Sequence, residues 1–204
     1  MDVQDCIVVQ FQHPRGMLGR MAGWVMAHRP SNRDRNRLTV NLLNIQPNDH
    51  ILELGCGPGI GLQACLSRAT DGYVIGLDHS QAMLDQARAR NRTAVQEGRL
   101  QLRLGSLDEL SCLPEPFDKI FSVNIIQFFD DKLAILKTLH AHLKPNGIVA
   151  TTYMPRGKNP SRAKALALAE EVKRHMAHAG FVRITIEELP LQPIPAVCIL
   201  GARL

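Results

Sequence analysis

The chain has 204 residues and a mass of 22.6 kDa, a length that fits one domain with a substantial core. Hydrophobic residues make up 45% and charged residues 21%, which disfavours disorder, collagen and coiled coil for the chain as a whole. The net charge of +5 arises in one segment, because residues 15–40 hold six arginines and a single acid while the remainder is balanced. This segment suits a solvated helix face or a lid over an anionic ligand. Nucleic acid is the less favoured partner because aromatic residues make up only 4%.

Cellular location is predicted from three absences. No apolar run reaches the roughly 18 residues of a membrane span, and the acidic start at Asp2 and Asp5 disfavours a secretory signal. The five cysteines are odd in number and contain no CxxC pair, which argues against a disulfide frame or a structural zinc site. We therefore expect a cytoplasmic protein with reduced thiols, no membrane partner and no metal.

Strand and helix patterns alternate from residue 50 to residue 180. Before them, residues 1–47 are predicted to be helical in pieces and to end at Pro47. The predicted strands are 50–54, 73–77 with Asp78 at the end, 100–104, 119–123, 148–152, 182–186 and 196–202. The predicted helices are 60–67, 81–91, 132–143 and 161–179. The alternation predicts an α/β fold with a parallel sheet covered on both faces, and the last two strands are predicted to be antiparallel neighbours at one edge.

A glycine-rich loop, Gly55-Cys56-Gly57-Pro58-Gly59, follows the first strand and opens a helix. Glycines allow a sharp turn and close approach of the backbone to a ligand, and the helix start offers free N–H groups. The GxGxxG dinucleotide pattern fails in both registers, because Ile60 and Leu62 stand where the last glycine belongs. An acid, Glu53, stands two residues before the first glycine.

Asp78 ends the second strand, 19 residues after Gly59. A carboxylate there can accept hydrogen bonds from two ribose hydroxyls. It can also cap the next helix, since Asp78, His79 and Ser80 all suit a helix start. Both roles are compatible, and the glycine loop at this distance favours the ribose role.

Five segments in order resemble the class I S-adenosylmethionine-dependent methyltransferases over about residues 36–204. They are the glycine loop with Glu53, the stretch 78–84, Gly105-Ser106-Leu107, Phe117-Asp118-Lys119-Ile120 and Leu143-Lys144-Pro145-Asn146-Gly147. Asn146 departs mildly from the family's usual glycine. The resemblance implies a single domain, residues 1–204, with a Rossmann-like, mostly parallel seven-stranded sheet and an antiparallel C-terminal edge strand. Residues 1–47 would form a helical lid segment and residues 48–204 the core that binds S-adenosylmethionine.

The resemblance also implies which residues bind the donor. Glu53 would lie near the methionine amino group, the glycines near the methionine and ribose, and Asp78 at the ribose hydroxyls. Asn124 would face the methionine end and the acceptor. The full predicted set is Glu53, Gly55, Cys56, Gly57, Gly59, Asp78, His79, Met83, Gly105, Ser106, Leu107 and Asn124. Of these, His79, Met83, Ser106 and Leu107 would contact adenine, and Cys56 is interpreted as a small loop residue.

The methyl acceptor is the open question, because residues 122–127 lack the NPPY-type motif of amino- and base-methylating enzymes. A small-molecule acceptor is predicted, with residues 10–36 as a lid that contributes Trp24 and three methionines. An acidic oxygen or nitrogen acceptor would need a base. The candidates are His13, His28, Gln127 as an orienting group, and Tyr153. The alternatives are a non-catalytic S-adenosylmethionine-binding or nucleic-acid-associated protein and, less favoured, an NAD-dependent oxidoreductase.

Overall fold

The computed structural model describes residues 30–105, 110, 113, 116–157 and 159–204. The helices are α1 (Pro30–Leu42), α2 (Ile60–Leu66), α3 (Gln81–Arg90), α4 (Arg92–Gln96), α5 (Lys132–Ala141) and α6 (Arg162–His178). A 3₁₀ turn spans Ile126–Phe128. The strands are β1 (His50–Leu54), β2 (Tyr73–Asp78), β3 (Leu100–Leu104), β4 (Phe117–Val123), β5 (Leu143–Tyr153), β6 (Val182–Leu189) and β7 (Ala196–Ala202).

The seven strands form one sheet in the order β3-β2-β1-β4-β5-β7-β6. Strands β1 to β5 are parallel, and β7 pairs antiparallel with both β5 and β6. This confirms the predicted fold class, a Rossmann-like and mostly parallel sheet with helices on both faces. The antiparallel strand β7 lies between β5 and β6, so β6 forms the edge of the sheet.

Two apolar cores cover the two faces of the sheet. One joins α5 and α6 to the sheet and includes Ile120, Leu136 and Val172. The other joins α1, α2 and α3 to the opposite face and includes Val40, Leu62 and Phe121. The buried strands read as apolar runs because both faces are covered.

Strand β4 begins two residues before its predicted start, and two other strands exceed their predicted bounds by more than that. Strand β5 begins at Leu143, five residues before the predicted start, because Leu143 pairs with Phe117 and a register shift absorbs the turn that follows. Asn146 in that turn has a φ of 65°, a left-handed conformation that asparagine adopts more readily than most residues. Asparagine can therefore stand where the family usually has glycine. Strand β6 continues to Leu189 because β7 pairs along this whole length.

Several predicted features lie outside the described residues. They are residues 1–29, which include His13, His28, Trp24 and most of the predicted lid, together with Ser106 and Leu107. Within the described ranges, no helix is both long and apolar enough to cross a membrane.

Candidate active site

The candidate site lies at the carboxyl ends of β1 and β4. The chain continues from β1 toward β2 on one side, while β4 lies on the other side of β1. In open α/β sheets, ligands bind in the crevice outside the strand ends at such a switch in strand order. The glycine loop follows β1, and Asn124 follows β4, so both predicted binding elements border this crevice.

All three glycines of the loop have left-handed backbone conformations. Their φ angles are 63° at Gly55, 51° at Gly57 and 77° at Gly59. A Cβ added at Gly57 would meet no atom of the described residues within 4 Å. Relative to the described part of the chain, Gly57 therefore borders open space, as the predicted close approach of a ligand requires.

Gly55 connects the loop to the other side of the crevice. A Cβ at this position would overlap Cδ1 of Ile125, which follows β4. The absence of a side chain at Gly55 therefore lets the donor-side loop pack directly against the β4 side.

Asp78 holds the loop at the end of β2. Its Oδ2 accepts a hydrogen bond from the Gly57 N–H at 2.8 Å, and its Oδ1 accepts one from the Ser80 N–H at 2.9 Å. The aspartate is buried, and burial raises its pKa against the opposing effect of these two donors and of His79. Each carboxylate oxygen has a second lone pair, so Asp78 can stabilise the loop and the start of α3 and still accept ribose hydroxyls.

Glu53 is a buried carboxyl beneath the loop. Burial raises its pKa well above the usual range, the nearby Asp78 raises it further, and a hydrogen bond from the Leu62 backbone opposes both. Its Oε2 is buried and has no hydrogen-bond partner among the described residues. Gly61 on α2 accommodates this group, because a Cβ there would overlap Oε1. An unsatisfied buried acceptor at this edge fits the amino group of a bound donor.

Cys56 is also buried in the loop. Burial raises the pKa of its thiol well above the usual range, and the nearby Glu53 and Asp78 raise it further. A neutral thiol is a poor nucleophile. These properties support the interpretation of Cys56 as a small packing residue.

Two residues of the predicted adenine side contact Asp78, and a third, Met83, lies on the helix that follows it. The Gly105 N–H donates to the Asp78 carbonyl at 3.1 Å, which brings the end of β3 beside the end of β2. The His79 ring is half-exposed, and its Nδ1 lies 3.8 Å from Oδ1 of Asp78. Met83 is buried on the first turn of α3. These positions support the predicted set, of which Ser106 and Leu107 are not described.

The β4–β5 side is built from side chains. Asn124 has a φ of 58°, and its amide bridges the Met154 backbone, with Oδ1 accepting from N at 2.8 Å and Nδ2 donating to O at 3.1 Å. Gln127 donates to the Asn124 carbonyl at 2.8 Å, and its buried Oε1 has no partner among the described residues. Tyr153 is half-buried, which raises the pKa of its phenol. Asn124 therefore positions the end of β5 with the same amide that was predicted to face the acceptor.

Three further residues were missed in the sequence. Arg90 and Asn91, at the end of α3, bind the carbonyls of Pro58 and Gly59 at 2.9 and 3.1 Å. Arg35, on α1, is buried beside Met154. In the sequence, Arg35 is only one of six arginines in the basic segment, and no local motif indicates a role for Arg90 or Asn91.

Comparisons with known proteins identify the family of the chain. A family model described as a methyltransferase domain matches residues 51–147. An uncharacterized methyltransferase, YdaC of Bacillus subtilis, is 33% identical over 178 residues, covering 87% of this chain and 95% of that protein. Trans-aconitate 2-methyltransferase of Deinococcus radiodurans is 30% identical over 142 residues, covering 70% of this chain and 51% of that enzyme. The chain thus spans nearly the whole of the first relative but about half of the second.

Solved structures share the fold. A S-adenosylmethionine-dependent methyltransferase from Aquifex aeolicus has a TM-score of 0.68 at 16% identity, with 87% of this chain and 95% of that chain covered. Phosphoethanolamine N-methyltransferase 2 of Haemonchus contortus, in complex with S-adenosyl-L-methionine, has a TM-score of 0.65 at 16% identity, with 83% and 52% covered.

The fold and the relatives together define a class. This chain belongs to the class I S-adenosylmethionine-dependent methyltransferases. It is an enzyme of methyl transfer with S-adenosylmethionine as its cofactor, which confirms the family, reaction and donor predicted from the sequence and removes support from the binding-only and oxidoreductase alternatives.

Proposed function

We propose that the chain transfers a methyl group from S-adenosylmethionine to a small-molecule acceptor that occupies the β4–β5 side of the crevice. The observation that carries this proposal is the packing of Gly55 against Ile125, which joins the donor loop to the β4 side without a side chain between them. A donor above the loop would then present its methyl group toward the segment that Asn124 and Met154 build.

In this proposal the donor is held mainly by backbone and carboxylates. Gly55, Gly57 and Gly59 approach the methionine and ribose, with Cys56 filling the loop between them. Asp78 accepts the ribose hydroxyls, and Glu53 faces the methionine amino group. His79, Met83, Gly105, Ser106 and Leu107 surround adenine, and Asn124 borders the methyl end. The unsatisfied Oε2 of Glu53 and the open space at Gly57 support this arrangement.

The protein contributes to the reaction mainly by positioning the donor and the acceptor, and less by forming or breaking bonds itself. When bound, S-adenosylmethionine supplies a methyl group on a sulfonium sulfur, and the electron pair of the broken carbon–sulfur bond stays on sulfur as the acceptor forms its bond to carbon. In-line placement of the acceptor accounts for much of the rate gain in such a step. An acceptor that carries a proton must release it, and Gln127 through its free Oε1, Tyr153, His13 and His28 are the candidates to orient or receive that proton.

The named relatives suggest which acceptors to try first. Trans-aconitate is the acceptor in the name of several curated relatives that are 26–32% identical to this chain. Because the chain spans about half the length of those enzymes, trans-aconitate is a hypothesis for the acceptor of this chain.

The decisive experiment has two parts. Calorimetry with S-adenosylmethionine, S-adenosylhomocysteine and NAD is expected to give binding of the first two and none of the third. A screen of small acids, amines, phenols and thiols, read as release of S-adenosylhomocysteine, should identify an acceptor. Donor binding without turnover on any acceptor would contradict the proposed catalytic role, and NAD binding would contradict the donor.

The proposal includes the N-terminal segment as a lid and the cytoplasm as the location. A lid over the crevice excludes water once donor and acceptor are bound. Residues 10–30 should therefore gain protection from hydrogen exchange when S-adenosylhomocysteine binds, and equal protection in both states would contradict the lid. The described cysteines, Cys56, Cys65 and Cys198, are free thiols, which suits a reducing compartment.

A further inference from the structure

Arg35 is a buried cation on the first half of α1. Its side chain is only 4% exposed. Nη2 donates to Oδ1 of Asn32 at 2.6 Å, and Nη1 contacts Sδ of Met154 at 3.3 Å. Its Nε is buried and has no hydrogen-bond partner among the described residues. No acidic side chain of the described part of the chain forms an ion pair with Arg35.

This burial is costly for the folded protein. A guanidinium removed from water loses solvation that only a counter-ion or a full set of acceptors restores. Burial lowers the pKa of Arg35 to about 9, and the nearby Arg156 contributes to the lowering. A pKa of about 9 still leaves the group charged at neutral pH. The fold therefore keeps two neighbouring cations at a site where one of them is buried and incompletely satisfied.

The position of Arg35 connects it to the crevice. Met154, which Arg35 contacts, follows β5 and is held at both its N–H and its carbonyl by Asn124. The residue after Asn124, Ile125, packs on Gly55 of the donor loop. Three successive contacts thus lead from Arg35 to the loop. They place the guanidinium on the β4–β5 side, at the carboxyl edge of the sheet.

We propose that Arg35, assisted by Arg156, binds a carboxylate of the methyl acceptor. The free Nε–H of a planar guanidinium, together with a neighbouring Nη–H, matches the two oxygens of a carboxylate. The acceptor would thus be a small organic acid anchored on Arg35. This inference rests on the proposed function. The methionine carboxylate of the donor has the same chemistry, so the experiment must separate the two sources.

The variants follow from the cost of the buried charge. Arg35→Met retains a long apolar side chain and should keep or raise the melting temperature, since it removes an incompletely satisfied buried charge. Arg35→Lys retains charge but loses the planar fork. Arg174→Gln is the matched control, because Arg174 is exposed on α6, on the opposite face of the sheet.

Binding is followed by the ¹⁵Nε–¹H resonance of Arg35 in protein loaded with S-adenosylhomocysteine. The probes are malonate, succinate and trans-aconitate, each paired with its uncharged amide. At least one carboxylate should shift this resonance while its amide does not. The affinity for that carboxylate, measured by calorimetry in the wild type and in every variant, should fall about tenfold to about a hundredfold in Arg35→Met, the range for hydrogen bonds to a charged group. Arg35→Lys should fall between the wild type and Arg35→Met, and Arg174→Gln should match the wild type.

The donor arm uses S-adenosylhomocysteine and its decarboxylated analogue. Arg35→Met should bind both as tightly as the wild type does. A tenfold loss for S-adenosylhomocysteine but not for the analogue would overturn the proposal by assigning Arg35 to the donor. Failure of every carboxylate to shift the resonance at tens of millimolar would overturn it as well. Failure of the wild type to bind S-adenosylhomocysteine would instead contradict the proposed function.

Discussion

The two sides of the crevice differ in how the chain assembles them. On the donor side, the backbone N–H of Gly57 donates to the Asp78 carboxylate across a separation of 21 residues. On the acceptor side, Asn124 reaches Met154 across 30 residues, and Arg35 reaches Met154 across 119. The donor side uses backbone geometry that glycine and an acid can specify locally. The acceptor side uses side chains that only the finished fold brings together.

This difference suggests how specificity is divided. A site built from backbone N–H groups and two carboxyl groups can bind the same donor whatever surrounds it. A site built from side chains on α1, β4 and β5 can change its partner by single substitutions. Substitutions on the donor side test this division, because backbone conformation and buried carboxylates should dominate there.

The largest effect is expected at Gly57. A valine side chain at this position would occupy the open space proposed for the donor, so the Gly57→Val variant should lose measurable binding of S-adenosylhomocysteine. The left-handed φ should also cost about 1–2 kcal/mol of stability. Gly98→Val is a matched control, because Gly98 has a φ of 74° and equally open space in a remote turn. The two variants should lose similar amounts of stability in urea unfolding, whereas calorimetry should show loss of donor binding only in Gly57→Val. Normal donor binding in Gly57→Val would show that the loop is only a structural turn and does not contact the donor at Gly57.

A smaller loss of donor affinity is expected at Asp78. Asp78→Asn keeps an acceptor for the loop but removes the charge, so affinity for S-adenosylhomocysteine should fall by about 1.5–3 kcal/mol. An analogue that lacks the ribose hydroxyls should bind the wild type and the variant equally, since the interaction is then absent from both. Asp85→Asn, on the exposed face of α3, serves as the control. An equal penalty with both ligands would leave Asp78 a purely structural role.

The donor side and the acceptor side differ in how far the sequence alone predicts them. The donor side could be proposed from the sequence because Glu53, the glycines and Asp78 lie within short segments whose order is informative, and their contacts with the donor stay a prediction. The strand pattern also predicted the sheet, since buried parallel strands are apolar runs. Arg35 was not singled out, because burial of one arginine among six depends on how α1 packs against the end of β5. Asn124 was predicted at the methyl end, but its bridge to Met154 depends on the pairing of β4 with β5.

A pH-dependent effect on stability is expected from Glu53. Its pKa is raised in the folded protein by burial first and by Asp78 second, so the folded state binds a proton that the unfolded state releases above about pH 4.3. The contribution to stability is complete below that pH and is lost as pH rises through the folded pKa. Glu53→Gln should therefore match the wild type near pH 4 and become relatively more stable as pH rises, by at most about 1.4 kcal/mol per pH unit.

Urea unfolding from pH 2 to pH 8 measures this difference, and Asp118 provides a control of opposite sign. Burial raises the pKa of Asp118, but the hydrogen bonds from Lys144 and from the His50 N–H, together with the charge of Lys144, outweigh burial and lower it. Its contribution is present above the unfolded pKa and is lost as pH falls. Asp118→Asn should therefore converge on the wild type in acid. A Glu53→Gln variant that parallels the wild type at every pH would contradict a raised pKa of Glu53 in the folded protein without donor.

The smallest effect is expected at Cys56, the one loop side chain between glycines that could be mistaken for a nucleophile. Burial and the nearby carboxyls keep its thiol neutral, and its Sγ lies only 3.0 Å from where a Cβ would stand on Gly76. Cys56→Ala should therefore cost roughly 1 kcal/mol of stability through lost packing. Methyl transfer should stay within a few-fold of the wild type, and donor affinity should not change. Thiol alkylation of the native protein at pH 8 should spare Cys56, which peptide mapping can verify. Loss of turnover with intact donor binding in Cys56→Ala would instead indicate a reactive thiol in the donor loop. A side chain of the donor side would then take part in the reaction, which would contradict the proposed division between a backbone-built donor site and a side-chain-built acceptor site.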